Sequence, residues 1–450
     1  MKVCKFGGSS LADATQIRKV CEIILSDNER TAVVVSAPGK RFDKDFKVTD
    51  LLIALANAIV SGYDGKTELK AVIDRFQAIS DDLELDEYLI TSIKDDLADR
   101  INGFDGDSRL LMDTMKAAGE DNCAKLVAAY LCSIGQDAHY VDPFDAGFLL
   151  SNQDGRVVVG PHTYANLAKL RQRTGLLIFP GFFGYNERRE VITFSRGGSD
   201  ITGSILAAAL KATIYENWTD VDNVYSVNPA LIKDPHPIKE LTYDEMRELA
   251  YAGFTVLHEE ALEPAFRNNI PVNIRNTNNP ASDGTMIVQS RNNYEGVLTG
   301  IAGKKGFTIL HISKYLMNGE IGFAFKVLQI LADLHIPFEH MPSGIDSLSI
   351  VMRDEVFPIE KEKIVIDRLI NELNVDDVHS QRGIAIVMIV GSAMEQTVGV
   401  TARACNSLSH AGVNLELIIQ GASETSVLFG VRSEFCNLAV QVLYHEFFPF

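Results

Sequence analysis

A chain of 450 residues, 46% hydrophobic and 23% charged, has room for two to four globular domains with ample core. Its 42 Lys and Arg against 60 Asp and Glu leave a net charge of −18, and no basic run offsets it, which argues against nucleic acid as a partner. No apolar run reaches membrane-spanning length, no basic-then-apolar leader opens the chain, and the six cysteines (4, 21, 123, 132, 405 and 436) lack CxxC spacing, so a soluble, cytoplasmic protein with reduced, buried thiols is expected.

The first element is carried by VCKFGGSSLAD (3–13). Val3, Lys5 and Phe6 follow a strand pattern, and Leu11, Ala14, Ile17, Val20, Cys21 and Ile24 recur at helical spacing. Lys5 therefore stands at a strand end, before a Gly-Gly-Ser-Ser turn that opens a helix. That geometry suits an anion, because free amide N–H groups at a helix start converge on negative charge. A plain strand–turn–helix with Ser10 as N-cap is the competing reading, and neither GxxxxGK[ST] nor GxGxxG is present.

TAVVVSA (31–37) reads as a buried strand and DLLIALANAIV (50–60) as a helix, with Ser36-Ala37-Pro38-Gly39 and Thr49 between them. Residues 60–130 are mostly helical in pattern, as an insertion or lid would be. LLIFPGFFGY (176–185) is a strand ending in a Pro-Gly turn. FSRGGSDITGS (194–204) is a second Gly-Gly-Ser turn opening a helix over 199–212, with Arg196 before it and Asp200 just inside. ATIYENWTDV (212–221) is a further strand, ending at Thr219-Asp220 before a polar turn. Such alternation implies a parallel sheet covered on both faces, with ligands at the carboxyl ends of the strands. Taken singly, Lys5 could be an edge lysine, Arg196 a surface cation and Asp200 a residue complementing the helix dipole. Taken together, four polar turns on one edge favour a phosphate cradle beside a small-molecule pocket, with an arginine suited to a carboxylate. His139, His162, His236 and His258 read as structural histidines.

The Asn-rich PVNIRNTNNPASDGTMIVQS (271–290) places a domain boundary near 290–305. Beyond it the chain repeats itself at an offset of 77 residues. Gly322 falls on Gly399, Leu331 on Leu408, Glu339 on Glu416, Gly344 on Gly421 and Ser349 on Ser426. Each copy reads as helix, strand, turn, strand, preceded by another strand (FTILHIS at 307–313, IAIVMIV at 384–390), which is a β-α-β-β module present twice.

KFGGSS, SAPG with Thr49, the Gly-Glu at 119–120, FSRGGSD, WTDV and GFTVLHEEA (253–261) resemble, in that order, the motif set of aspartate kinases within the amino acid kinase family. The tandem modules are similar to the regulatory ACT pair of those enzymes. The resemblance implies a three-layer α/β/α amino acid kinase fold with a mainly parallel sheet over 1–295. Two ferredoxin-like ACT domains follow, one at 305–380, completed by 438–450, and the other at 381–437. It implies transfer of the γ-phosphoryl group of ATP to the β-carboxylate of L-aspartate, the first step towards lysine, threonine and methionine, with Mg²⁺ accompanying ATP and no metal site in the protein itself.

By the same resemblance Lys5 and Asp200 are catalytic. Ser36, Thr49, Glu120, Arg196, Gly198 and Ser199 bind the acceptor, with Arg196 on its α-carboxylate and Glu120 facing its amino group. Lys5, Gly7, Gly8, Ser9, Thr219, Asp220, Tyr225 and Lys233 face the nucleotide. Met317, Asn318, Gly322, Phe323 and Glu339 fall at the effector pocket of lysine-inhibited relatives; lysine is the expected effector and threonine the alternative. The expected assembly is a homodimer or a dimer of dimers, with no nucleic acid or membrane partner.

Three features depart from the family pattern. Thr255 stands where a lysine is usual, Ala230 where an arginine is usual, and KRFDKDFKV (40–48) lengthens the loop before Thr49 while adding Lys40, Lys44 and Lys47. Lys233 or a lysine of this loop would then replace the missing cations. Two other functions stay open on the residues alone: phosphorylation of another small acid, and a catalytically weakened amino-acid sensor. Fusion to a homoserine dehydrogenase is not expected, since the chain stops after the second ACT copy.

Overall fold

Strand and helix alternate along the first 290 residues because the strands are apolar on both faces and must be covered twice. The computed structural model describes residues 1–153, 156–195, 197–254, 259–421 and 425–448, with Glu259 described by its backbone alone. The chain forms two compact units. One comprises 1–224, 237–246 and 255–291; the other comprises 225–236, 247–254 and 292–450.

In the first unit an eight-stranded sheet is built from Lys2–Phe6 (β1), Arg30–Val35 (β2), Ala138–Tyr140 (β3), Leu176–Pro180 (β4), Tyr215–Thr219 (β5), Glu240–Thr242 (β6), Val272–Asn276 (β7) and Thr285–Val288 (β8). The order across the sheet is β6-β8-β7-β5-β1-β2-β4-β3, and only the β7–β8 pair is antiparallel. β1, β2, β4 and β5 are contiguous and parallel, so their carboxyl ends meet on one edge, as expected for an open α/β sheet. Ala14–Leu25 (α1) starts where Asp13 accepts a hydrogen bond from the Gln16 amide at 2.9 Å, so the N-cap is Asp13 and not Ser10. Ser10 instead meets Thr277, hydroxyl to hydroxyl, at 2.8 Å.

Val48–Val60 (α2), Lys66–Asp82 (α3), Glu87–Asn102 (α4) and Ser108–Ser133 (α5) fill the helical stretch. Their apolar faces join β1, β2 and α1 in one core through Leu52, Phe76, Leu97, Met115 and Val127. Gly198–Leu210 (α6) is buried along almost its whole length. Four of the six cysteines are buried; Cys405 is partly covered and Cys132 is exposed, the reverse of the expectation for that thiol, because it lies on the outer face of the last turn of α5.

The second unit holds one five-stranded sheet formed by Gly300–Ser313 (β9), Ser347–Arg353 (β10), Asp377–Val390 (β11), Leu417–Gln420 (β12) and Ser426–Arg432 (β13), in the order β10-β9-β11-β13-β12. β9 and β11 are the same length and lie 77 residues apart. They pair antiparallel from Gly300↔Val390 to Ser313↔Asp377, with Gly306 and Gly383, again 77 apart, both at positive φ. The sequence repeat is therefore an internal two-fold in space for these strands, but the expected strand before the turn forms only in the second copy, as β12; the equivalent stretch of the first makes only isolated bridges at His340 and Ser343. Phe323–Asp333 (α7) and Ile359–Leu373 (α8) cover the half containing β10, and Val400–His410 (α9) and Cys436–Phe447 (α10) cover the half containing β13.

Three placements differ from the sequence expectation. The C-terminal helix α10 packs with α9 in the core of the second copy and does not complete the first, because Ala439, Val440 and Leu443 share that core with Val387, Phe429 and Leu408. The strand that completes the second copy is the first half of β9, residues 300–305, which pairs with 385–390. Val227 and Ile232, well before the expected boundary, also belong to this core.

Candidate active site

The carboxyl end of β1 places Lys5 between two neighbours of different origin. In the parallel β1–β5 pair Lys5 lies opposite Asn217, and α6 brings Asp200 over both from its first turn. Lys5 Nζ is 2.6 Å from Asp200 Oδ1, with both side chains nearly buried. Asn217 Nδ2 donates to the same Oδ1 at 2.8 Å, and Lys5 Nζ donates to Asn217 Oδ1 at 3.5 Å. α6 can begin this close because Gly197 turns the chain at φ +66°, a conformation costly for a side-chain-bearing residue. Ser199, also buried, sits against Gly181 at the end of β4, where a Cβ at position 181 would stand 2.6 Å from Ser199 Oγ.

The first two glycine turns touch. The Gly39 amide donates to the Gly8 carbonyl at 2.8 Å, the Gly7 amide to the Trp218 carbonyl at 3.1 Å, and the Ser36 amide to the Phe6 carbonyl at 3.2 Å. Above them lies a cleft of about 630 Å³, lined by Gly7, Gly8, Ser9, Ser36, Ala37, Gly39, Thr49, Glu120, Thr219 and Asp220. Lys5 approaches it beside Gly7, where a Cβ would be 3.5 Å from Nζ. Turn amides and an ammonium at one end of a cleft make a site for a polyanion.

Glu120 is the exception in that electrostatic setting. It projects from α5 where the helix is packed against the second turn, and it is 6% exposed. Desolvation raises its pKa to about 8, and the Ala37 backbone hydrogen bond only partly counteracts this. Its Oε2 has no hydrogen-bond partner. A buried carboxyl without a cation, facing an otherwise anion-attracting cleft, lacks a positively charged partner.

The long loop before α2 also faces the cleft, contributing Lys40, Arg41, Phe42, Asp43 and Lys47 to its wall. It is anchored from below by Arg75 of α3, 4% exposed, which donates to Asp45 at 2.6 Å and to the carbonyls of Gly39 and Ala12 at 2.5 and 3.0 Å. Arg41 binds Asp45 as well, at 2.9 Å. The hydrogen bonds from Arg41 and then Arg75 hold that carboxyl far below the usual carboxylate range.

The fold thus brings Lys5, Gly7, Gly8, Ser9, Ser36, Thr49, Glu120, Gly198, Ser199, Asp200, Thr219 and Asp220 to one edge of one sheet. Arg196 lies outside the described residues, as do Thr255 and His258. Tyr225 and Lys233 fall in the segment that groups with the second unit, and Lys233 is exposed. Of the positions expected to bind an effector, Met317 and Phe323 are core residues of the first copy, Gly322 caps α7 at φ +79°, and the Asn318 amide donates to the Ile345 carbonyl at 3.2 Å. Glu339 is paired with Arg353 at 2.6 Å, and its counterpart Glu416 with Arg432 at 3.1 Å.

Sequence reasoning passed over Asn217, Arg75, Asp45 and Thr277. Asn217 had a usable signal, a polar amide between two aromatic-rich positions of a buried strand; Arg75, thirty residues from its partner on an otherwise ordinary helix, had none.

A sequence profile of the amino acid kinase family matches residues 1–276, and one of the ACT domain matches 387–447. The chain is 51% identical over 448 residues to aspartokinase 3 of Bacillus subtilis, covering 100% of this chain and 99% of that one. Among solved structures, aspartate kinase of Clostridium acetobutylicum is similar at TM-score 0.86 and 37% identity, over 99% of this chain and 100% of that one. Aspartokinase III of E. coli has been solved with aspartate and ADP (TM-score 0.77, 27% identity, 99% of each chain) and with lysine and aspartate (0.73, 27%, 100% of each).

Proposed function

The chain belongs to the amino acid kinase family, as an aspartate kinase with C-terminal ACT domains, and from that premise we propose that it transfers the γ-phosphoryl group of ATP to the β-carboxylate of L-aspartate under feedback by lysine. The products are 4-phospho-L-aspartate and ADP. The observation that carries the acceptor's identity is Glu120. An uncompensated buried carboxyl in a cleft of amides and cations calls for an acceptor that carries an ammonium as well as carboxylates. A free amino acid meets that demand and an N-acylated acid does not.

The β-carboxylate of aspartate, with an ordinary pKa of about 3.9, is already ionised at neutral pH and needs no general base. The obstacle is the approach of one anion to another, so positive charge and oriented N–H groups carry the reaction. Lys5 and the Gly7-Gly8 turn face the transferring group, Asp200 orients Lys5, and Thr219 and Asp220 flank the nucleotide. Arg196 takes the α-carboxylate and Glu120 the ammonium, with Ser36, Thr49, Gly198 and Ser199 around them. Mg²⁺ is assigned to the nucleotide and enters with it as substrate. Lys40 and Lys47 on the cleft wall, with Lys233, take up the task of the cations absent at 230 and 255. Lys47→Ala is expected to raise the ATP KM severalfold; an unchanged KM in both Lys47→Ala and Lys233→Ala would end that assignment.

Lysine as effector rests on the ACT pair and on the E. coli relative solved with lysine. An inhibitor must bind two states unequally, and the Glu339–Arg353 pair is a contact that an incoming ammonium would have to break. We assign the working form to a cytoplasmic homodimer. No helix among the described residues is long and apolar enough to cross a membrane. A coupled ADP-release assay with Mg-ATP and a panel of acids tests the whole reading. Turnover with aspartate, none with N-acetylglutamate, and inhibition by lysine are expected. Lysine binding by calorimetry without turnover would favour a sensor instead, and insensitivity to millimolar lysine would remove the effector.

Glu120 adds a proton to the binding equilibrium. Its folded pKa is raised to about 8, so near neutral pH the empty cleft holds it protonated, and an ammonium beside it favours the ionised form. Aspartate binding at pH 7 should therefore release close to one proton, and aspartate KM should fall as pH rises towards 8. The sign for folding is opposite: the folded chain keeps a proton that the unfolded chain has given up, so this group lowers stability as pH rises through its folded pKa. Calorimetry in buffers of different ionisation enthalpy measures the release, and Glu120→Gln should abolish it.

A further inference from the structure

Asn217 is the residue of β5 whose side chain meets the side chains of both Lys5 and Asp200. β5 is an interior strand between β1 and β7, and the position is 2% exposed. A buried amide is costly unless both its donor and its acceptor are used. Here the Nδ2 donates to Asp200 Oδ1 at 2.8 Å, and the Oδ1 accepts from Lys5 Nζ at 3.5 Å. The next residue on the same face, Tyr215, donates its hydroxyl to the Asp200 backbone carbonyl at 3.1 Å. β5 thus grips the first turn of α6 at two points, one of which also touches the ammonium.

We propose that Asn217 is a positioning residue for phosphoryl transfer, a bridge that fixes Asp200 and divides the donors of Lys5 between the two acceptors. This rests on the assignment of Lys5 and Asp200 to the reacting group made above. A lysine ammonium has three N–H donors. One goes to Asp200 and one to Asn217, which leaves the third on the Gly7 side, where the cleft is. Without the bridge, the carboxylate can rotate about its own side chain and draw the ammonium with it. A shift of about 1 Å in such a group is enough to cost about a hundredfold in rate. Asn217 is buried and does not line the cleft, so its loss should appear in kcat and leave both KM values nearly unchanged.

Asn217→Leu removes both hydrogen bonds at similar volume, and Asn217→Asp keeps the shape while replacing the donor by a second carboxylate. Both should lower kcat about 10- to 100-fold, with the KM for ATP and for aspartate within about threefold of the parent. The controls Lys5→Ala and Asp200→Asn, measured alongside, test the underlying assignment. If they retain turnover, that assignment fails; if they abolish it while a folded Asn217 variant keeps kcat within about twofold, the bridge alone is overturned. A fall in kcat accompanied by equal rises in both KM values, or failure of both Asn217 variants to fold, would assign the residue to packing and overturn the proposal as well.

Discussion

Lys5→Ala should lower kcat on the order of a thousandfold, equivalent to roughly 4 kcal/mol of transition-state stabilisation, while lysine still binds with unchanged stoichiometry. The expectation follows from how little else can take over. The ammonium is held 2.6 Å from Asp200 in a nearly buried position, and the neighbouring positive groups of the cleft wall, Lys40 and Lys47, lie on an exposed loop. A charge held in place inside a desolvated site is worth more to a developing anion than a mobile one in water, because it needs no reorganisation when the reaction occurs. Single-turnover kinetics measures the loss and calorimetry with lysine reports on the regulatory modules. A loss of less than about tenfold would mean that Lys5 is structural.

Gly39→Ala should be nearly as damaging by a different route. A Cβ at position 39 would lie 2.6 Å from the carbonyl carbon and oxygen of Gly8 and 2.8 Å from the amide nitrogen of Ser9. Those are backbone atoms of the Gly7-Gly8-Ser9 turn, and no side-chain rotation can make room. The two turns must separate, which breaks the 2.8 Å Gly39-to-Gly8 hydrogen bond and moves the Gly7-Gly8 amides away from Lys5. We expect kcat/KM to fall about a hundredfold and stability to fall by about 1–3 kcal/mol, the usual range for overpacking. Gly296→Ala is the control, since a Cβ there meets only the Leu298 carbonyl at 3.8 Å, and it should be silent. Denaturant unfolding together with steady-state kinetics separates the two effects.

The parts of this molecule that could be read from sequence are those in which chemistry and period coincide locally. Strand, glycine turn and helix lie within about a dozen residues in KFGGSS and FSRGGSD, so the turns that build the cleft were visible one by one. The internal repeat was visible because two apolar cores impose the same spacing twice. What escaped notice depends on partners distant in sequence. Arg75 has meaning only when α3 is folded beneath the 40–47 loop, and Asn217 only when β1 and α6 are placed on either side of it. The half-strand 300–305 escaped for another reason: GIAGKK is small and polar, and it is held as a strand by the apolar residues 385–390 opposite rather than by its own pattern.

That half-strand governs how the regulatory unit can be cut or exchanged. β9 and β11 each run through both ACT copies, so the first copy is spliced into the second rather than placed ahead of it. No single scission yields one intact copy. A chain ended at Gly383 would keep the first copy but strand residues 300–305 without their partner, opening a raw sheet edge of the kind that recruits other chains. Exchange of inhibitor specificity between related enzymes, whether in the laboratory or by recombination, must therefore take the stretch from β9 to α10 as one cassette.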